Sequence, residues 1–282
     1  MRRRSLATFA LFAVSSSIFT FADSVTLNTN ATQLATAVTS GNTGVTVTSA
    51  TLQGQSSGAG SASTGTFSNI YGLASGAVIS TGNAANYGSG PNTTDGFTTD
   101  FGTTATAAQA LLLDPISGGN TSHFDVTQLD LSFTVDPGIS TIFFNVAFGS
   151  EEFPEFVGSE FVDAFGLYLN GTDIAFVNSL PVNIDHPCFA AITGTELDGV
   201  LACGNNPVNT FSGAVHEGTN TLTFIIADTS DHILDTTAYI GALGTSEPIP
   251  PIPSEVPEPS SIALLGTGLL AVAGAVRRRL IA

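Results

Sequence analysis

The 282-residue chain has no lysine or arginine anywhere between Arg4 and Arg277. Its basic side chains form one cluster at each end, and all 23 acidic side chains lie between the two clusters. A fold built from this segment cannot neutralise a buried carboxylate with a lysine or an arginine. Phosphate binding depends on the same two residue types, so the composition excludes a nucleic-acid interface and disfavours adhesion to anionic lipid.

The N-terminus has the pattern of a secretory signal peptide. An arginine cluster precedes the apolar run Leu6–Val14, and small residues lead up to Ala22. Ser15–Ser17 interrupt the apolar run, which leaves it shorter than the ~20 residues of a membrane-spanning helix. We therefore predict an exported protein whose signal peptide, residues 1–22, is cleaved between Ala22 and Asp23.

The C-terminus combines a proline-rich stretch with an apolar run. Residues 247–259 contain six prolines, which predicts an extended polyproline II linker. Residues 260–276 are apolar and small, and as a helix of roughly 25 Å they just cross a hydrocarbon core. We predict a transmembrane helix with its cytoplasmic arginine cluster over residues 260–282, so the body lies outside. An ordinary single-pass tail anchor has the same hydropathy.

The three parts of this C-terminus, in their order, resemble a known sorting signal. Val256-Pro257-Glu258-Pro259-Ser260, an apolar helix and Arg277-Arg278-Arg279 are similar to the PEP-CTERM signal of Gram-negative bacteria. The resemblance implies an inner-membrane-anchored precursor and a membrane protease, exosortase, as the partner that cuts near Pro257-Glu258-Pro259. The mature protein is then expected at the cell surface or in the extracellular matrix.

The body, residues 23–246, is predicted to be one all-β domain, a β-sandwich of jelly-roll-like type. Leu129–Val135 alternates apolar and polar residues, which indicates a strand with one solvated face. Thr141–Phe148 is apolar on both sides, as expected of a central strand. Asn170-Gly171 predicts a hairpin between Ala164–Leu169 and Thr172–Val177, because both turn positions need positive φ.

Further strands and two short helices complete the prediction. Thr221–Ala227 alternates again, and Thr237–Leu243 is taken as its partner strand. The remaining predicted elements are strands at Val45–Leu52, Thr64–Asn69 and Ala77–Ser80, and helices at Ala31–Val38 and Thr104–Leu112.

Cys188 and Cys203 are the only cysteines. In an oxidising compartment such a pair predicts a disulfide, and closing a loop of this length is worth ~3 kcal/mol in the chain-entropy model. Metal binding or nucleophilic chemistry is the alternative. A zinc site is the weaker prediction, because no histidine pair accompanies the two thiols.

Two groups of acidic residues follow apolar strands. If the two strand ends meet, six carboxylates converge with no lysine or arginine to neutralise them. Ca²⁺ takes ~6–8 oxygen ligands of this kind, so we predict a calcium site there. The alternative is that the carboxylates are solvated or cap backbone N–H groups. The predicted ligands are Glu151, Glu152, Asp163, Asp228, Asp231 and Asp235.

The body also resembles the choice-of-anchor L domain of bacterial surface proteins. The motif Ser150-Glu151-Glu152-Phe153-Pro154-Glu155-Phe156 carries most of the resemblance, with Phe153 and Phe156 standing where the family has tyrosines. Other matching pieces lie in order from Ala31 to Gly244, among them Asp163-Ala164-Phe165-Gly166 and Ile226-Ala227-Asp228. The family name refers to the variety of anchors and implies no activity.

These observations predict a non-catalytic surface or matrix module, associated with exopolysaccharide and binding Ca²⁺, with no catalytic residue. Acidic exopolysaccharide is the expected extracellular partner. One alternative is a polysaccharide hydrolase that uses carboxylates near Glu151 and Asp163, which requires two carboxyls ~5–9.5 Å apart and one raised pKa in a cleft. Another is a carbohydrate- or ice-binding module, which requires exposed aromatics such as Tyr71, Tyr87 and Tyr168, or flat threonine rows.

Overall fold

The computed structural model describes residues 24–247, except residues 42, 43, 59, 89, 95 and 193. The predicted signal peptide with its cleavage site, the PEP-CTERM residues and the predicted transmembrane helix lie outside the described residues. Within the described residues, no helix has the length and apolar character needed to cross a membrane.

Fifteen strands, two α-helices and two 3₁₀ turns make up the described chain. The helices are α1 (Ala31–Val38) and α2 (Ala107–Leu113), and the 3₁₀ turns are Ala84–Tyr87 and Cys203–Asn205. The strands are β1 (Ser24–Leu27), β2 (Val45–Gln53), β3 (Thr64–Ile70), β4 (Leu73–Ser80), β5 (His123–Val135), β6 (Thr141–Ser150), β7 (Ala164–Leu169), β8 (Thr172–Asp173), β9 (Phe176–Val177), β10 (Leu180–Asn183), β11 (Phe189–Ala190), β12 (Gly199–Leu201), β13 (Asn209–Ala214), β14 (Asn220–Thr229) and β15 (Thr236–Gly244).

The strands form two antiparallel sheets that pack face to face. The first sheet has the order β1-β3-β4-β15-β6-β12-β11, and β13 pairs with β6. The second has the order β2-β5-β14-β7-β10-β9, and β8 pairs with β7. The predicted all-β sandwich with two short helices is therefore confirmed.

The main core lies between the sheets and follows the predicted period of two. Leu129, Leu131 and Phe133 of β5 point inward, and the residues between them are half-buried. They share one apolar cluster with Phe144 and Phe148 of β6 in the opposite sheet. Because Ala147 of β6 packs in a second cluster on the outer side of the first sheet, β6 is buried on both faces, as predicted.

Both helices begin where a side chain caps them. The Asn30 side chain accepts a hydrogen bond from the backbone N–H of Gln33, and α1 spans the predicted residues. α2 begins three residues later than predicted, because Thr106 is its N-cap and forms a capping box with Gln109. α2 buries Leu113 in a third apolar cluster, against the outer face of the second sheet.

The hairpin at Asn170-Gly171 is confirmed, with φ of 50° and 79° at the two turn residues. The strand predicted after it, Thr172–Val177, is instead two short strands. The Asp173 carboxylate accepts hydrogen bonds from the N–H groups of Leu167 and Ala175, which bends the chain after two residue pairs. β9 then pairs with β10 rather than with β7.

The prediction that Thr237–Leu243 pairs with Thr221–Ala227 is wrong. β14 lies between β5 and β7 in the second sheet, whereas β15 lies between β4 and β6 in the first. Phe224 and Ile240 enter the same core cluster from opposite sheets instead of lying side by side in one sheet. The six-residue connection 230–235 crosses from one sheet to the other, with positive φ at Ser230 and Leu234.

Candidate functional site

The strand register brings the two groups of predicted carboxylates to the same end of the sandwich. Ser150 pairs with Thr236 in the first sheet, and Ala164 pairs with Ala227 in the second. The residues that follow or precede these pairs are the predicted acids. Five of them are at most 1% exposed, namely Glu151, Glu152, Asp163, Asp228 and Asp235, and Asp231 is half-buried.

Two of the buried carboxylates have hydrogen-bond donors for both oxygens. Asp163 accepts from the Thr229 N–H at 2.9 Å and from the Thr236 hydroxyl at 2.8 Å. Asp235 accepts from the Thr99 N–H and from the Tyr87 hydroxyl, both at 2.9 Å. These two carboxylates hold backbone segments in place, as the capping alternative predicts.

Asp228 and Glu152 are different. Neither oxygen of Asp228 has a hydrogen-bond partner, and the same is true of Oε2 of Glu152. The hydroxyl of Thr81 opposes the rise in the pKa of Asp228, but it forms no hydrogen bond of normal geometry with the carboxylate. Burying a charge without hydrogen-bond donors costs several kcal/mol of free energy, so these oxygens need a proton or a cation as a partner.

Burial raises the pKa of every predicted carboxyl, and repulsion by other carboxylates adds to the rise for all of them except Asp231. Burial is the main cause for Glu151 and Glu152, and it raises both pKa values to about 9. Burial, then the charges of Asp163 and Asp235, holds the pKa of Asp228 well above its usual range. Burial raises the pKa of Asp235 only to about 6, because its donors stabilise the ionised form.

Glu151 and Glu152 face different neighbours, as expected for adjacent residues. Burial and then the repulsion by Asp163 and Asp231 set the raised pKa of Glu152. Burial is the main cause of the raised pKa of Glu151 as well, but the repelling charge beside it is that of Asp198, and Oε1 of Glu151 has no hydrogen-bond partner.

An irregular segment, residues 96–103, crosses this end of the sandwich, and we call it the strap. Its odd-numbered residues are half-buried, and their N–H groups point at carboxylates rather than at a neighbouring strand. The Phe97 N–H donates to Glu151 at 3.0 Å and the Thr99 N–H to Asp235 at 2.9 Å. Carboxylate side chains therefore replace the missing strand as hydrogen-bond acceptors for the strap.

Asp125 completes this row, and the sequence prediction missed it. It is fully buried, and it accepts from the N–H groups of Phe101 at 3.0 Å and Thr103 at 2.8 Å. Its φ of 43° and a bulge in the β5–β14 pairing turn its side chain toward the strap. The only sequence signal was an acid just before the predicted strand Leu129–Val135.

The predicted ligand atoms do not form a ready-made cage. Within the described part of the chain, there are two groups of three metal-binding side chains whose ligand atoms all lie within 4.8 Å of one another. Neither group contains a predicted calcium ligand. One group is Asp100, Asp125 and His232. The other is His186 with Cys188 and Cys203, whose sulfur atoms form the predicted disulfide and so do not act as thiolate ligands.

A hydrolase requires accessible carboxylates in a cleft, and a carbohydrate-binding module requires exposed aromatic side chains. The described site has neither. Glu151 and Asp163 are buried, so a substrate cannot reach them. A cleft of about 250 Å³ lies elsewhere, between α1 and β2, and it is lined by threonines and small residues. Tyr87 and Tyr168 are buried, and the hydroxyl of the half-buried Tyr71 bonds to Thr195.

The fold and the site define a β-sandwich module with a buried acidic end. Residues 20–197 match the model of the choice-of-anchor L domain, and the chain belongs to this family. The match ends just before β12, so the acids of β14 and of the 230–235 connection lie beyond it. No curated protein and no solved structure gives a match.

The second match supplies the protein's destination. Residues 255–279 match the PEP-CTERM protein-sorting motif. The protein is therefore an exported surface protein with a membrane-anchored precursor, and exosortase processes it.

Proposed function

We propose that this protein is a non-catalytic structural module of the cell surface or extracellular matrix, and that Ca²⁺ bound at the acidic end stabilises it. The observation that carries the proposal is Asp228, a buried carboxylate with two oxygens and no hydrogen-bond donor. Burying such a charge without compensation costs several kcal/mol, on the order of that found for buried ions. A proton neutralises one carboxylate, whereas a divalent cation neutralises two and bonds to their oxygens.

The candidate ligand atoms suit calcium. The carboxylates whose charges act on Asp228 include Asp163 and Asp235, and the charge of Asp163 also acts on Glu152, so every candidate ligand is an oxygen, as a hard cation requires. Glu152 follows β6 of the first sheet, whereas Asp163 directly precedes β7 and Asp228 lies in β14, both of the second sheet. A shared cation would therefore tie the two sheets together, and its entry would draw these carboxylates closer to one another.

Burial also decides what the ion does. A polymer outside the protein cannot share a cation with side chains that are 1% exposed, so Asp228 and Glu152 do not bridge the module to an acidic exopolysaccharide. The ion instead stabilises the module itself. The same burial disfavours the hydrolase alternative, because the raised pKa values belong to groups that no substrate contacts.

Thermal unfolding of the full-length chain in a mild detergent tests the proposal. The chain is stripped with EDTA and then given Ca²⁺ or Mg²⁺ at constant ionic strength. At a free Ca²⁺ concentration of ~100 Kd, binding contributes about 2.7 kcal/mol, or roughly 5–11 °C for a domain of this size. We expect this rise with Ca²⁺ and a much smaller one with Mg²⁺.

Two variants make the test specific. Asp228→Asn should abolish the Ca²⁺ response, and in EDTA it should be at least as stable as the parent, because it removes an unpaired buried acid. Asp136→Asn removes an equal charge from an exposed turn and should respond like the parent. Equal shifts with both cations, or a full Ca²⁺ response in Asp228→Asn, would refute the proposal.

A further inference from the structure

A second group of ligand side chains lies beside the strap and outside the proposed calcium ligands. It consists of Asp100 in the strap, Asp125 in the β5 bulge and His232 in the connection between β14 and β15. Three separate parts of the chain therefore converge on one point. The His232 ring packs on Phe124 with the ring centroids 4.1 Å apart, which fixes its position.

Nδ1 of His232 lies between the two carboxylates. It is 3.3 Å from Oδ2 of Asp125 and 3.4 Å from Oδ1 of Asp100. A charge-assisted N–H···O bond is usually ~2.7–2.9 Å long, so both contacts are long for hydrogen bonds. A single N–H group shared between two acceptors forms a bifurcated bond, in which neither contact has the length of a full charge-assisted bond.

These separations agree better with a shared metal ion than with hydrogen bonds. Ligands that bind zinc at ~2.0–2.2 Å in a tetrahedral arrangement lie roughly 3.3–3.5 Å from one another. The three ligand atoms here all lie within 4.8 Å of one another, and two of the three separations fall in that range. The set of one imidazole and two carboxylates is also one that zinc accepts, whereas calcium prefers oxygen ligands alone.

The surroundings of Asp125 support the same assignment. Oδ1 of Asp125 accepts from the Thr103 N–H at 2.8 Å and from the Thr103 hydroxyl at 3.0 Å, and Oδ2 accepts from the Phe101 N–H at 3.0 Å while it faces His232. Hydrogen bonds of this kind orient a carboxylate ligand. A metal ion can reach the three ligands from solvent, because the side chains of His232 and Asp100 are 29% and 58% exposed.

We propose that Asp100, Asp125 and His232 form a binding site for one Zn²⁺ ion, with the fourth coordination position open to solvent. The site shares no residue with the proposed calcium ligands. Bound zinc would fasten the strap and the 230–235 connection to the second sheet.

The test is a calorimetric titration of the full-length, EDTA-treated chain in detergent with Zn²⁺, in the absence and presence of excess Ca²⁺. We expect one zinc ion per chain and no competition by Ca²⁺. His232→Asn should weaken binding by at least about tenfold, the lower limit even for indirect metal partners. This variant keeps an N–H donor near Nδ1, so it preserves a simple hydrogen-bonded bridge while removing the metal ligand.

Two further variants separate the site from folding and from other histidines. Asp100→Asn changes an exposed side chain, and we expect it to weaken zinc binding without unfolding the protein. His216→Asn alters an exposed loop histidine and should leave the affinity unchanged.

Cobalt in place of zinc should give a visible absorption spectrum that is lost in His232→Asn. Equal zinc affinity in the parent and in both site variants, or displacement of zinc by Ca²⁺, would overturn the proposal. Because Asp228→Asn leaves this site intact, the two metal proposals fail or succeed separately.

Discussion

Gly82 tests whether the hydrogen bonds of Asp235 hold the strap in place. A methyl group at Gly82 would overlap the carboxylate of Asp235, so Gly82→Ala forces this side chain away. Asp235 would then lose the Thr99 N–H and the Tyr87 hydroxyl, two donors at 2.9 Å. Hydrogen bonds to a charged group contribute about 1.5–3 kcal/mol each, and alanine returns about 0.4–1 kcal/mol by restricting the unfolded chain.

The expected loss is therefore about 2–5.5 kcal/mol, which lowers the unfolding midpoint by roughly 4–22 °C for a domain of this size. Urea denaturation measures the loss, and hydrogen exchange should show a faster Thr99 amide. Gly54→Ala is the matched control, because the nearest neighbours of its methyl would be the Ser63 hydroxyl and the Leu52 side chain, at 3.3 Å or more. If the two variants are equally stable, Asp235 does not fasten the strap.

Two further predictions concern pH and the disulfide. In EDTA, the free energy of unfolding should fall as pH rises from about 4.5 to about 9, because burial raises the pKa values of Glu151 and Glu152 and the folded state binds more protons than the unfolded state. Urea denaturation should give a slope of about 1–3 kcal/mol per pH unit that Glu152→Gln flattens, and a stability that rises with pH would contradict this reasoning. Replacing both Cys188 and Cys203 by serine should cost about 3 kcal/mol, because the bond closes a loop with a sequence separation of 15. Reduction of the parent should give the same loss, and an unchanged urea midpoint in both experiments would show that the bond does not stabilise the fold.

The sequence predicted the strands well because burial on one face leaves a period of two. β5, β6 and β14 contain the predicted strands, and the Asn170-Gly171 turn follows from the conformation that both residues must adopt. Strand pairing was harder. Because β14 and β15 each bury one apolar face, their patterns suit a hairpin and a crossing between sheets equally well, and only the contacts of residues 230–235 distinguish the two.

The candidate site was predictable to the same limited degree. Acids that directly follow a buried strand lie near its end, so the position of Glu151 at the end of β6 was foreseeable, whereas its meeting with Asp235 depends on the β6–β15 pairing, which was not predicted. Asp125 was not, because a bulge with a left-handed residue reverses the direction that simple alternation assigns to its side chain. The strap has no sequence signal of its own, since its backbone bonds to side chains far away in the chain.

The absence of lysine and arginine explains how the acidic end is organised. Each buried carboxylate has to be compensated by N–H groups, hydroxyls, a proton or a metal ion, and the structure uses the first two wherever the strap reaches. Asp235 and Asp125 are compensated in this way, and Asp163 is compensated by Thr229 and Thr236. Asp228 lies beyond these donors, so its compensation has to come from solution. The stability of this end of the sandwich is therefore coupled to the ions and the pH of the exported environment in which the module works.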